Sequence, residues 1–212
     1  MEIFLRFSIK LIIERFLNLK DYKIMIIKVF LTTIILSFSS PTIMAQKHLK
    51  FMGIPIDGKR DAMIVKMKEV GFTIQTQQNE VGTELFGNYM NSEGWLRIWN
   101  SNISKTVYLL EFIFPKGDFN TVYEHYIGLK NVLLGIYGKP TEVLEDKPEE
   151  IFDTAWDLGV FTFATYYETE EGLITLEISE KQHRVEISFQ DNINAEIMRK
   201  EKIISENMKN PH

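Results

Sequence analysis

Apolar residues alternate with polar ones through two neighbouring runs, Leu173–Ser179 and Arg184–Gln190. In the second run Val185, Ile187 and Phe189 fall on one side, and Arg184, Glu186 and Ser188 on the other. A period of two belongs to a strand with one buried face, because successive side chains point to opposite sides of the backbone. The intervening "EKQH" supplies a turn, so this part of the chain must build antiparallel sheet with one wet face. A third strand is expected over Thr154–Tyr167, joined to the pair by the turn "ETEEG".

Helices bracket the strands. Val122, Tyr126, Leu129, Leu133 and Ile136 recur at spacings of three and four, the stripe of a helix lying on a core. Thr121 with Glu124 forms a capping-box pair, or Asp118 caps one turn earlier, and "YGKP" at 137–140 ends the element. Upstream, "GIPIDG" reads as a turn with Asp57 as a candidate helix cap. Met63, Met67 and Val70 mark the helix that follows, closed by Gly71. Four strand-like pieces come next, Phe72–Thr76, Glu84–Met90, Trp95–Trp99 and Val107–Phe114, with turns at "NSEG" and "NSNISK". The acidic "LEDKPEE" reads as a loop, and residues 193–212 as a charged helix with Ile193, Ile197 and Ile204 on its apolar side. The expected class is α+β, with helices packed on antiparallel sheet in the order α-β3/4-α-β3/4-α. The domain spans 46–192, as two similar halves, 46–117 and 118–192.

The segments "HLKFMGIPIDG", "YGKP" followed by Trp156, and "GLITLEI…HRVEISFQD" resemble a group of uncharacterised exported proteins of Gram-negative gut anaerobes. The helix-then-meander order is similar to the beta-lactamase-inhibitor-protein-like fold. That resemblance implies binding of another protein through an open sheet face, without catalytic residues.

Residues 25–45 carry the three parts of an export signal: Lys28 near Met25, an apolar run Val29–Phe38, and Ser39-Ser40-Pro41 before "TIMA". Cleavage is expected near Ala45, because the apolar run is about half of the roughly 20 residues a membrane span needs. Residues 1–24 mix five cations with three acids and are read as an upstream extension outside the translated protein, with initiation at Met25, the alternative being an unusually long n-region of the signal. The chain has no cysteine, which excludes disulfides, thiol catalysis, cysteine zinc sites and a lipid-modified cysteine anchor. The product is therefore expected in the periplasm or outside the cell, without a stable membrane anchor. Residues 1–45 hold six of the 24 Lys/Arg and three of the 29 Asp/Glu, leaving 18 basic and 26 acidic side chains and a net charge of −8. Nucleic acid is a poor partner for such a chain.

Chemistry is sparse in the sequence. None of the four histidines lies three or four residues from another, and the nucleophile-elbow, phosphate-loop and dinucleotide patterns do not occur. No cofactor or metal is implied. His125 reads as a boundary residue, and the acidic runs at 142–153 and 168–171 read as solvated loops. Glu111 stands out, since it shares a face with Val107, Leu109 and Ile113 and so either has a partner, most simply a lysine, or sits at a wet edge. Trp95, Arg97 and Trp99 alternate with Leu96 and Ile98, which places the aromatic pair on the face away from the core unless both faces are covered. With Trp156 and Tyr166 they form the candidate binding set, suited to a protein hot spot or to stacking on sugars. The reading is an exported, non-catalytic module that binds a protein or envelope component. The alternatives are a glycan-binding module or an acid–base hydrolase built on Glu111 or the acidic loops. A homodimer through the aromatic face is compatible with the first.

Overall fold

A computed structural model describes residues 47–75, 82–148, 151 and 153–209. The expectations about the export signal and the upstream extension fall outside the described residues. The elements run β1 (Lys50–Phe51), β2 (Ile54–Pro55), α1 (Arg60–Glu69), β3 (Thr73–Ile74), β4 (Gly82–Tyr89), β5 (Ser92–Asn100) and β6 (Val107–Ile113). They continue as α2 (Phe119–Tyr137), β7 (Glu142–Glu145), α3 (Asp153–Leu158), β8 (Phe163–Glu168), β9 (Gly172–Ser179), β10 (Arg184–Asp191) and α4 (Asn192–Lys209). The fold is mixed α+β, and eight of the strands form one sheet in the order β3-β4-β5-β6-β10-β9-β8-β7. Every pairing is antiparallel, so the last strand of each meander meets its counterpart at a central β6–β10 seam.

The register divides the side chains between two faces. Leu85, Leu96, Ile98, Leu110, Phe112, Ile187, Phe189, Leu176, Ile174 and Tyr167 lie on one face and are buried. Met63, Ile64 and Met67 of α1 and Val122, Tyr126, Leu129 and Leu133 of α2 join them in a single core. A one-residue slip would turn every one of these strand side chains to the other face, so the alternation in the sequence fixes the register. The glycine pair Gly87 and Gly94, opposite one another on β4 and β5, makes room for two rings. A Cβ on Gly87 would stand 2.6 Å from the Phe72 ring, and one on Gly94 would stand 2.7 Å from Phe112 and 2.4 Å from the Ile113 carbonyl.

Several expectations need correction. The segment read as one long strand from Thr154 holds α3 and then β8, with Gly159 turning between them at φ 64°. "LEDKPEE" contains the end of β7, an edge strand paired to β8, where the sequence reads as loop. The turn between β4 and β5 sits at Met90 and Asn91, both left-handed (φ 50° and 64°), as a two-residue hairpin demands, and not at 91–94. Lys59 occupies the cap of α1, while Asp57 forms an ion pair with Lys66. Asp118 caps α2 by accepting the Thr121 amide, but Ile136 at the far end of the stripe is 60% exposed.

The β10–α4 junction is tied to the start of the described chain. Asp191 is fully buried, accepts the Leu49 and Asn194 amides at 2.9 Å each, and lies 3.1 Å from His48 Nδ1. Asn194 donates in turn to the carbonyls of Ile56 and Val107. Among the described residues no helix is long and apolar enough to cross a membrane.

Candidate functional site

The sheet face opposite the core carries the residues that the sequence singles out on β5. Trp95, Arg97 and Trp99 alternate with the buried Leu96 and Ile98, and the register extends their rows across the sheet. One row reads Glu84, Arg97, Glu111, Ser188, Thr175, Tyr166 and Glu142 from β4 to β7. The next reads Phe86, Trp95, Ile113, Glu186, Glu177, Ala164 and Leu144. Directly opposed side chains in such rows stand about 4.5–5.5 Å apart at Cβ, so they interact.

At the β5 end the charges are paired. Arg97 Nε donates to Glu84 at 2.6 Å, its Nη1 stands 3.6 Å from Glu111, and Trp99 Nε1 donates to Glu111 at 3.3 Å. Glu111 thus has its partner, a guanidinium on the neighbouring strand and an indole, where the sequence pointed to a lysine. Val107 leaves its row because the β5–β6 register shifts at Trp99 and Asn100. Burial and the nearby Glu186 carboxylate still hold the Glu111 pKa above its ordinary value, against the pull of Trp99 and Arg97. Trp95 is 36% exposed with its ring edge-on to Phe86 at 5.5 Å, and Trp99 is half-buried.

Toward β9 the charges accumulate with less compensation. Glu186 is buried and accepts from Arg184 Nε at 2.9 Å, so this part of β10 is not the wet face that its alternation implied. Glu177 lies across from Glu186. Burial, then Glu186, Glu111 and Glu180, raise its pKa above the ordinary value. Glu177 also lines an open pocket of about 350 Å³ with Thr162, Ala164, Tyr166, Ser179 and Gln182.

The other candidates lie elsewhere. Trp156 belongs to α3, is 7% exposed, and is stacked between Phe161 and His183 with Phe119 edge-on, so it is core rather than binding surface. His125 packs edge-on against Phe114 and has Ser92 Oγ at 3.5 Å, beyond the roughly 2.6–3.2 Å of a nucleophile–base pair. Within the acidic segment, Glu145 accepts from Tyr126 at 2.7 Å and pairs with Lys130, which fastens β7 to α2. Among the described residues no three His, Asp or Glu side chains are placed to hold a metal ion.

Sequence reasoning missed the Glu177–Glu186 pair, although both alternations were visible. What was lacking was the β9–β10 register, which a four-residue turn does not settle by itself. No protein-family model, curated protein or solved structure matches this chain.

Proposed function

We propose that the chain is an exported, non-catalytic binding module, released from its signal near Ala45. It recognises a protein or envelope component through the sheet face that bears Trp95, Arg97, Trp99 and Tyr166. The observation that carries this reading is their convergence on the face opposite the core that α1 and α2 cover, with Trp95 exposed amid a paired Arg97–Glu84–Glu111 cluster. Aromatic and arginine side chains held rigid by neighbours are what protein hot spots use. The strand order, symmetric about the β6–β10 seam, and the place of α1 and α2 ahead of each meander support a helix–meander unit used twice.

A glycan is the alternative occupant, favoured by the exposed Trp95 ring, and it predicts a saccharide-dependent shift in Trp95 fluorescence. The hydrolase reading draws on the desolvated Glu111 and Glu177, but the pocket walls include Glu177 and not Glu111. A photo-crosslinking residue at Trp95, in cells making the full chain, tests the main reading against the same residue at Val65 on α1, which is also exposed. Adducts from Trp95 alone, of defined mass, are expected. Equal adducts from both positions, or none from Trp95, would sink it.

A further inference from the structure

Among the described residues Glu177 is the one carboxylate of the acidic face that is withdrawn from solvent and yet uncompensated, whereas Glu93, Glu142 and Glu168 are exposed. Among the described residues it has no hydrogen bond and no ion pair, although it is half-buried and opposite Glu186. Arg184 pairs with Glu186 through Nε and leaves its buried Nη2 without a hydrogen bond, and Arg97 pairs with Glu84 and Glu111, so neither forms an ion pair with Glu177. Lys181, on the pocket rim, is exposed and forms no ion pair with it among the described residues. By register the face also carries Glu93, Glu142 and Glu168, so seven carboxylates share it with two guanidiniums, Arg97 and Arg184. Like charges directly opposed across a sheet destabilise it, and a buried carboxylate is costly until a cation meets it. Beside Glu177, Tyr166 presents an aromatic ring to the same pocket.

We propose that this pocket, at the β8–β9 end of the acidic face, receives a lysine or arginine side chain of a partner protein, with Glu177 as its counter-ion and Tyr166 as its cation–π wall. The proposal rests on the reading of this face as a protein-binding surface and names the chemistry of what it grips. An ammonium or guanidinium there would relieve the Glu177–Glu186 repulsion, and the Tyr166 ring that lines the same pocket offers it a cation–π partner. A neutral sugar would leave the repulsion as it is. Complementary charge also steers a basic partner toward this face and disfavours acidic ones.

The test uses isotope-labelled protein isolated from cells expressing the full chain. It is titrated with pentalysine, with pentalysine acetylated on every side chain, and with cellopentaose, while backbone amide shifts are followed. Pentalysine is expected to move the amides of 162–166 and 177–182, and the acetylated peptide is expected to leave them in place. Glu177→Gln should raise the dissociation constant at least tenfold. Glu69→Gln on α1, which removes the same charge away from the face, should change it less than twofold. Should Glu177→Gln fold poorly, Tyr166→Leu replaces it, with at least a threefold loss expected. Equal losses in the Glu177 and Glu69 variants would mean general charge attraction and overturn the proposal. Shifts near Trp95 that bypass the pocket would overturn it while leaving the docking face standing, whereas failure of Trp95 crosslinking removes that face. Movement of the pocket amides by cellopentaose in place of pentalysine would hand the pocket to a glycan.

Discussion

Glu177 on β9 stands directly across from Glu186 on β10, on the face of the sheet turned away from the core that α1 and α2 cover. With its pKa raised by burial and by that neighbour, Glu177 binds its proton more tightly in the fold than in the unfolded chain. Such a group contributes most to stability below its unfolded pKa and loses that contribution as pH rises through the folded value. Glu177→Gln is therefore expected to be neutral at acid pH, where the carboxyl is already protonated. At pH 7 it should stabilise the protein by roughly 0.2–1 kcal/mol, the scale of an opposed like-charge pair. Urea unfolding of both proteins across pH 3–7 checks this, and a variant less stable at pH 7 than the parent would contradict it.

The three tryptophans should separate by accessibility. In single-tryptophan variants, acrylamide is expected to quench Trp95 most, Trp99 less and Trp156 least, following their exposed, half-buried and buried positions. Strong quenching of Trp156 would mean that the Phe119–Phe161–His183 packing around it is wrong.

Tyr126→Phe removes one hydroxyl from a buried network. The phenol, itself in the core, donates to Glu145 and stands 2.7 Å from Thr165 Oγ1. A loss of about 1–2 kcal/mol is expected, because Glu145 and Thr165 each lose a partner. The effect should be local as well as global. Hydrogen exchange at Val143 and Leu144 should quicken more than in β9, since Glu145 is what ties the β7 edge to α2.

Asp191→Ala should be the most damaging of these changes, at about 2–4 kcal/mol, since it strips the buried Leu49 and Asn194 amides of their acceptor and uncaps α4. Asp191→Asn keeps one acceptor oxygen and is expected to cost less than half as much. Denaturant midpoints rank the two, and equal losses would assign the effect to packing around the side chain.

Much of the architecture could be read in advance where apolar spacing was long and regular. The stripe from Val122 to Leu133 and the alternation at 173–190 announced α2, β9 and β10, because burial rewards those periods and few other arrangements satisfy them. The misses have physical causes. β7 offers four exposed residues with no buried face, so nothing in "EVLE" marks it as strand except a partner found elsewhere in the chain. The α3 segment is only six residues long, and its Trp156 was equally consistent with a strand. Arg184 and Glu186 read as solvent-facing because both are charged, yet each is buried by pairing with the other. The same limit hid the candidate pocket: Glu177 looks ordinary until the register sets it against Glu186.

The β6–β10 seam also governs the order in which this molecule can become whole. Among the described residues β10 is the final strand, and it joins the first meander to the second along the middle of the sheet. Until residues 184–191 arrive, β6 presents an unpaired edge whose buried-face residues include Leu110 and Phe112, the sort of edge that recruits other chains. Contacts between strands so distant in sequence also form slowly. A chain halted before Arg184 is therefore a sheet open at its centre, and its hazard while being made is adhesion to other unfinished copies.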